Sequence, residues 1–524
     1  MGIYLNPNNE NFKSVLKADI YVDKTMMLSV LNSFIDKDNK YVCISRPRRF
    51  GKTIAGNMIA AYYSKGCDSK ELFAGLKISK EQGFGTKLNK YNVIQLDMNS
   101  EYQNVRKKED MIRNICSKVE REIEKEFPAI SFDESESLVE RMLKVYSETG
   151  ETFIIIMDEY DVLVREEVSK ELFDEYLGFL NGLFKSNVLK PAISLAYLTG
   201  ILPIVRDKVQ SKLNNFEEYT VLDAKELTPY VGFVTDEVKF LCEKNGMDFE
   251  ECKQWYDGYR LGGEEIYNPE SVVKSMMYHK FGNYWGKTSS YAVITDQIKR
   301  NFAGTKEAVV SMLAGEAVPF DCFMFLNTMD SFKTKDDILT YLCHVGYLAY
   351  DEEKEASFIP NGEIRREWER AISISDDYEQ TDKIIKESKE LLQKTLEGDE
   401  KAVASALDIS HIHVTSNRSY NNEDALQSAI YLAYIYARNK YYIFKELTTG
   451  KGFADVVFVP FTAGLPAMII ELKHNKTSET ALNQIKNKQY FASLSDYKGE
   501  LLFVGINYDE KEKTHDCKIE RFRK

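Results

Sequence analysis

Four short apolar runs punctuate the first 215 residues, at 41–45, 93–97, 153–157 and 193–199. They show no polar alternation, the mark of strands buried on both faces. The stretches between them carry apolar residues every three to four positions, so helices separate the strands. This pattern predicts an α/β unit over 1–215 with a mostly parallel sheet covered on both sides. Over 216–375 the helical period dominates, with aromatic-rich stretches at 255–259 and 341–350, and a mainly helical domain is expected. From 376 to 407 a charged segment places Ile384, Ile385, Leu391, Leu392 and Leu396 at helical spacing. It reads as a connector helix opening a last domain, 376–524. From Asn421 that domain continues as a helix, a β-hairpin, a second helix and a final strand at 501–507.

Composition narrows the class without changing this picture. The 524 residues are 44% hydrophobic and 29% charged, a balance typical of folded globular chains. At ~150 residues per domain the length predicts three to four domains. None of the eight cysteines forms a Cys-x-x-Cys pair, so a zinc knot or disulfide framework is not expected. No basic-then-apolar leader is visible, and the weakly polar runs 192–205 and 456–470 are too short for a membrane span. A cytoplasmic protein with no membrane partner is the expectation. The net charge of −13 argues against indiscriminate coating of nucleic acid. From Lys440 onward, however, 14 basic residues face 11 acidic ones, a local +3 compatible with a nucleic-acid surface.

The first candidate chemistry is a phosphate loop. Ser-Arg-Pro-Arg-Arg-Phe-Gly-Lys-Thr at 45–53 follows the first strand and opens a helix in which Ile54, Met58, Ala61 and Tyr62 share a face. A strand, a tight loop and a helix N-terminus present backbone N–H groups to an anion. Lys52 is placed for the outer phosphates, and the Thr53 hydroxyl for Mg²⁺. Gly51 and Phe50 belong to the loop; Arg46, Arg48 and Arg49 add positive charge. Arg46 stands where such loops usually carry their first glycine. About a hundred residues later the run 152–157 ends in Asp158-Glu159-Tyr160-Asp161. Acids delivered at the end of a buried strand suit Mg²⁺ binding by Asp158 and activation of water by Glu159. Thr199, at the end of the next strand, is positioned to sense the γ-phosphate. Arg206 reads as a surface arginine, with an arginine finger as the other reading. ATP with Mg²⁺ is the expected cofactor pair.

The second constellation lies near the C-terminus. Asp455 opens one strand of the predicted hairpin, and Glu471-Leu472-Lys473 ends the other. Strand alternation puts Glu471 and Lys473 on one face. Two carboxylates hold Mg²⁺ or Mn²⁺, and a neighbouring ammonium orients water or stabilises phosphate charge. Glu423 falls on the core stripe of the preceding helix, and Gln484 and Lys488 lie one turn apart on the following one. This ordered set predicts a nuclease-type fold whose metal ligands are Asp455 and Glu471, with Lys473, Glu423 and Gln484 beside them.

Nearly the whole chain resembles a bacterial family of predicted AAA-type ATPases fused to a PD-(D/E)XK nuclease-like domain. The resemblance rests on Tyr-Val-Asp-Lys-Thr at 21–25, the arginine-rich loop, Asp158–Asp161, Leu-Thr-Gly-Ile-Leu-Pro-Ile at 198–204 and Leu-Asn-Asn at 213–215. It continues through Trp-Tyr-Asp-Gly-Tyr at 255–259, Tyr-Asn-Pro at 267–269, Gly-Tyr-Leu at 346–348 and Ile-Pro-Asn at 359–361. It ends in Glu446, Gly-Lys-Gly-Phe-Ala-Asp at 450–455, the Glu-Leu-Lys triplet, Gln484-Ile485 and Val-Gly-Ile-Asn at 504–507. A phosphate loop without its first glycine is typical of this family. The resemblance implies an AAA-type P-loop core, a helical lid and a PD-(D/E)XK-type α/β/α domain, but no known substrate. Trp255, Tyr256 and Tyr259 read as lid core, with nucleic-acid stacking as the other reading. The functional expectation is an ATPase whose nucleotide state gates a Mg²⁺-dependent nuclease. The alternative is an ATP-regulated switch, in which a non-cleaving nuclease fold binds nucleic acid or protein. An oligomer is compatible with either.

Overall fold

Unbroken apolar runs need cover on both faces, and the four such runs meet, with a short charged edge strand beyond them, in one parallel sheet in the N-terminal part of the computed structural model. The strands are β1 (Tyr41–Ser45), β2 (Asn92–Asp97), β3 (Phe153–Asp158), β4 (Ile193–Gly200) and β5 (Glu217–Tyr219). Their spatial order is β2-β3-β4-β1-β5, and every pairing is parallel. The structure describes residues 2–522 except 167, 205, 208–209, 212, 224, 288–291, 324, 326–331, 376–377, 415–429, 432, 450–451, 462–463, 488–496 and 498. Each position of β1, β3 and β4 is buried. Side-chain alternation divides β3 between two cores. Ile154 and Ile156 pack with Met58, Ile59 and Tyr62 of α1 (Lys52–Tyr63). Phe153, Ile155 and Met157 pack with Ile115 and Val119 of α2 (Met111–Glu126) and Leu180 of α3 (Lys170–Phe184).

The middle segment is helical, as its periodicity predicts, and it also carries two small antiparallel sheets that the periodicity did not reveal. One joins Phe233–Val234, Glu264–Tyr267 and Tyr259–Leu261; the other joins Val318–Pro319, Ala356–Phe358 and Ala349–Asp351. Strands of two to four residues are too short to establish a period of two. Val238, Cys252, Tyr256 and Val272 belong to a small core of the segment's own, but much of its apolar surface joins the N-terminal core. Tyr259, Trp285, Leu342 and Trp368 belong to the same apolar cluster as Phe50 and α1. Phe50 of the arginine-rich loop meets Tyr259 edge-on at 5.3 Å and Trp285 at 6.4 Å. The Tyr259 hydroxyl donates to Gly346 O at 2.7 Å. Tyr256 and Tyr259 are therefore core residues, whereas Trp255 is only half-buried.

Two helices, not one, lead into the C-terminal domain: α4 (Glu379–Glu397) and α5 (Glu400–Val414), separated at Gly398. The sheet that follows has five strands rather than the three expected. They are β6 (Tyr441–Thr449), β7 (Gly452–Pro460), β8 (Ala467–His474), β9 (Leu501–Asp509) and β10 (Thr514–Phe522), in that spatial order. Only β8 and β9 run parallel; the other neighbours are antiparallel. The two strands missing from the sequence reading, β6 and β10, are the sheet's edges. Leu391, Leu392, Val403 and Leu407 of α4 and α5 cover one face, against Val456, Ile470 and Val504. Leu482 and Ile485 of α6 (Ser478–Asn487) cover the other, against Val457, Ile469 and Phe503. The result is an α/β/α sandwich. No helix among the described residues is long and apolar enough to cross a membrane, and all eight cysteines are free thiols.

A buried carboxylate braces the middle segment. Glu363 is 1% exposed, and its Oε1 accepts the N–H groups of Tyr284 at 2.6 Å and Trp285 at 2.7 Å. Burial pushes its pKa up to about 7, against the lowering effect of those N–H groups. The unfolded chain releases this proton near the ordinary glutamate value, whereas the folded chain keeps it to about 7. Between those values the native state binds more protons, so this group's contribution to stability falls as pH rises. Glu363→Gln cannot titrate and loses this slope. Its stability relative to the parent should rise by on the order of 2 kcal/mol from pH 5 to pH 7. Paired chemical denaturation curves at the two pH values measure the difference.

Candidate functional site

The chain leaves β1 at Ser45 and turns into α1 through a loop with two left-handed residues, Arg49 (φ 72°) and Gly51 (φ 91°). Gly51 reaches that conformation without the penalty a Cβ would bring, and it sits at the N-terminal end of α1. These two residues make the turn for which the usual first glycine is absent. Lys52 folds back over the loop, with Nζ 2.8 Å from Arg46 O and 2.9 Å from Pro47 O. Burial lowers its pKa to about 8, while Asp158, Asp161 and Glu159 act to raise it.

A cavity of about 680 Å³ opens beside the loop. Arg48, Arg49, Phe50, Gly51, Lys52, Thr53, Glu159 and Arg165 line its polar part; Val15, Ile20, Val22 and Phe233 form an apolar part. A pocket of this size, with convergent cations at one end and apolar side chains at the other, matches a nucleoside polyphosphate. Arg46 departs from the expectation. It is 1% exposed, and its guanidinium donates to Ser45 O and Tyr219 O, both at 3.2 Å. The side chain joins β1 to edge strand β5 instead of adding charge to the cavity, because those carbonyls satisfy a cation that the loop buries.

The sheet order explains the acid side of the site. β4 lies between β1 and β3, so Thr199 at its C-terminal end sits between the loop and Asp158. Thr53 Oγ1 donates to Asp158 Oδ2 at 2.6 Å, and Thr199 Oγ1 donates to Oδ1 of the same carboxylate. Burial pushes the Asp158 carboxyl upward, and the Thr199 and Thr53 hydrogen bonds oppose it. Carboxylate and hydroxyl oxygens converging at the end of a phosphate loop fit a hard cation such as Mg²⁺. Glu159 takes a left-handed φ of 51°. Its Oε2 accepts from Arg165 at 2.7 Å, and Arg165 Nε lies 3.1 Å from Asp161 Oδ2. Asp161 is fully buried and accepts the N–H groups of Ile201 and Leu202 at 3.0 and 2.9 Å. Arg165 escaped the sequence reading, although its i, i+4 spacing from Asp161 is a legible helix-pair signal. The Arg206 side chain lies outside the described residues.

The C-terminal constellation forms across β7, β8 and α6. Val456 pairs with Ile470 and Val457 with Ile469, so alternation puts Asp455 and Glu471 on the α6 face. Asp455 Oδ2 accepts the Leu472 N–H at 2.7 Å. Lys473 Nζ lies 3.0 Å from Glu471 Oε1 and also donates to Leu472 O at 2.8 Å. From α6, Gln484 Nε2 donates to the same Glu471 oxygen. The close approach of α6 depends on Gly505, which pairs with Glu471 in the adjacent strand. A Cβ there would fall 2.3 Å from Ser478 O and 2.8 Å from Leu482 N. Glu471 and Lys473 are 1% and 6% exposed. Glu423 and Lys488 lie outside the described residues, and among those described no group of three His, Cys, Asp or Glu side chains converges on one point. Oxygen donors from Asp455 and Glu471 suit Mg²⁺ or Mn²⁺, and a buried carboxylate with a lysine and an amide on one oxygen is fixed in orientation.

The first sheet, its phosphate loop and the acid-tipped strand one place removed define a P-loop type core, and the second sheet defines a nuclease-type sandwich. Comparison with known families agrees: residues 9–210 match the family described as Predicted AAA-ATPase, and residues 421–518 match the PD-(D/E)XK nuclease superfamily. The chain thus carries an AAA-ATPase-like domain followed by a PD-(D/E)XK nuclease superfamily domain. It is also 26% identical over 316 residues to an uncharacterized protein in the vnfD 5' region of Azotobacter chroococcum mcd 1. That match covers 58% of this chain and 58% of the relative, so the chain spans little more than half of the protein it matches.

The nucleotide site yields a paired prediction. Lys52→Ala should weaken binding of a fluorescent ATP analogue. Glu159→Gln should bind it as the parent does, yet lose ATP turnover by roughly 10²-fold or more, as expected for removal of a general base. Arg165→Ala, which frees Glu159 from its partner, should also lower turnover with little change in binding. Unchanged turnover in Glu159→Gln would remove that residue from the chemistry.

Proposed function

We propose that the protein binds and hydrolyses ATP, and that nucleotide state controls a metal-dependent nuclease site cutting phosphodiester bonds. The observation that carries the nuclease half is the cluster on β7, β8 and α6, where Glu471 meets both Lys473 and Gln484 beside Asp455. Asp455 and Glu471 are the ligands for a divalent cation. Such a cation, when bound, polarises the phosphodiester and makes a water molecule more acidic. Lys473 places its amino group on the same face, where a cation offsets charge developing on phosphate oxygens. Gln484 and Lys473 together hold the Glu471 carboxylate in one orientation. At the other site Thr53 and Asp158 are the ligands for Mg²⁺, Lys52 neutralises outer phosphates, and Glu159 takes the proton from attacking water.

Packing supports the gating step. The segment 255–259 touches both halves: Tyr259 packs on Phe50 of the phosphate loop, while Trp255 faces the cleft beside β6. The C-terminal domain reaches back as well. Asn439 Nδ2 donates to Glu369 Oε1 at 3.1 Å, and Tyr442 Oη to Glu250 at 3.4 Å. A loop that shifts when phosphates bind moves Phe50, and Phe50 bears directly on the middle segment. Side-chain contact of this kind transmits a change between two discrete arrangements.

Incubation with plasmid, linear duplex, single strands and RNA, with Mg²⁺ or Mn²⁺ and with or without ATP, tests the proposal. Cutting should require metal and change with nucleotide. Glu471→Gln should abolish it while leaving ATP hydrolysis largely intact. Lys473→Ala should slow it by about 10²-fold, the typical loss of one transition-state charge partner. Cutting that survives Glu471→Gln would overturn the nuclease half; cutting indifferent to ATP would overturn the gate.

A further inference from the structure

Between the middle segment and the C-terminal sheet lies a second cleft, of about 560 Å³. Trp255 and Arg366 stand on one wall, and Tyr442, Phe444 and Phe461 on the other. Its acids are already matched: Lys253 lies 2.8 Å from Glu265 and 3.6 Å from Asp257, and Lys354 lies 3.1 Å from Asp351. Three of its four arginines are not. Arg366 lies over the Trp255 ring at 4.3 Å, Arg438 lies over Tyr431 at 4.9 Å, and Arg365 donates to Leu313 O at 2.7 Å. Among the described residues, none of these three arginines has a carboxylate within ion-pair distance. Burial and then neighbouring Arg365 lower the Arg438 pKa to about 10, with Glu316 acting to raise it. Guanidinium groups laid on aromatic faces, with no acid to meet them, are complementary to an anion that also presents flat rings.

The aromatic wall leads to the nuclease site. Tyr442 pairs with Val459 and Phe444 with Val457, and Val457 lies on the α6 face of the sheet together with Asp455. Alternation therefore places Tyr442, Phe444 and Asp455 on one face, with Phe444 about 7 Å along the strands from the level of Asp455. Phe444 is 41% exposed, unusual for a phenylalanine that no partner covers.

We infer that this cleft binds an unpaired stretch of nucleic acid, with bases against Trp255 and Phe444 and phosphates against Arg366 and Arg438, and leads it along β6 to Asp455 and Glu471. This rests on the nuclease reading above and specifies its substrate as single-stranded. A duplex keeps its base faces stacked inside, whereas an unpaired strand offers them to aromatic side chains.

Binding without metal separates this inference from the cutting chemistry. The full chain in EDTA is titrated against a labelled oligonucleotide of about 20 nucleotides, single-stranded or annealed to its complement, with fluorescence anisotropy as readout. The single strand should bind more tightly. Phe444→Ser should weaken it roughly tenfold. Arg366→Gln should lower the salt dependence of binding by about one phosphate contact. Both side chains are exposed, and melting curves of the variants should match the parent. Preference for the duplex, or variants that bind like the parent, overturns the inference; so does failure of the parent to bind any strand. If Glu471→Gln stops cutting while Phe444→Ser and Arg366→Gln bind and cut normally, the track is wrong and the nuclease reading stands. Strand binding sensitive to both variants, with no cutting under any metal, supports the track and overturns the nuclease reading alone.

Discussion

A single buried carboxylate organises the nucleotide end of the molecule. Asp158 takes hydroxyl hydrogen bonds from Thr53 at the start of α1 and from Thr199 at the end of β4. Its cost in the sheet's interior is offset in part by those two donors and by nearby Lys52. The requirement reaches far, because the three groups come from different strand connections. They meet only if β4 separates β1 from β3 and all three strands run the same way. The strand order and the burial of every position in β1, β3 and β4 are thus tied to one polar constellation at their C-terminal ends.

The loop beside that carboxylate is held from outside as well as from below. Phe50 enters the core of the middle segment, and Arg46 spans from β1 to β5 beneath it. Arg46 thus stabilises the loop's shape instead of facing the cavity, and Phe50, which also borders the cavity, anchors the loop to the middle segment. This leaves Lys52 within reach of Arg46 O and Pro47 O, so the loop also satisfies its own lysine. The arginine-rich composition, which reads as added charge for phosphate, divides in space. Arg48 and Arg49 line the cavity and Arg46 does not.

What the amino-acid pattern reveals follows burial. Strands covered on both faces carry unbroken apolar runs, and β1 to β4 are legible to within a residue or two. Edge strands β6 and β10 alternate or carry charges such as Lys518, Glu520 and Arg521, as exposed edges do, and so resemble loops. The helix break at Gly398 is hidden because the charged segment keeps its period on both sides. At the sites, residue type and spacing point to Asp158, Glu159, Asp455, Glu471, Lys473 and Gln484, since carboxylates at strand ends are conspicuous. Direction is a different matter: nothing in the string of letters distinguishes an arginine aimed at a cavity from one capped by carbonyls. The Arg366–Trp255 stack is equally hidden, because its partners are more than a hundred residues apart and meet only through the fold.

The two halves handle buried charge in contrasting ways, and the contrast bears on how they work together. Around Asp158 the hydrogen-bond partners are neutral hydroxyls, which leave its charge unpaired by any direct ion pair among the described residues. Around Glu471 the partners are a lysine and an amide, which fix one oxygen and leave the chemistry to what arrives from outside. The first arrangement is complete within its own sheet. On the proposed reading the second depends on delivery, and the cleft proposed for it is shared with the middle segment, whose Trp255 belongs to the same five residues as Tyr259. Four positions therefore separate a ring packed on the phosphate loop from a ring facing the nuclease-side cleft. A segment this short, anchored at Tyr259 by the Gly346 hydrogen bond and at Asp257 O by Asn361, has little freedom to bend internally. Under the proposed gating, displacement at its phosphate-loop end would reach its cleft end, and regulation would act on access to Asp455 and Glu471 instead of disturbing those carboxylates.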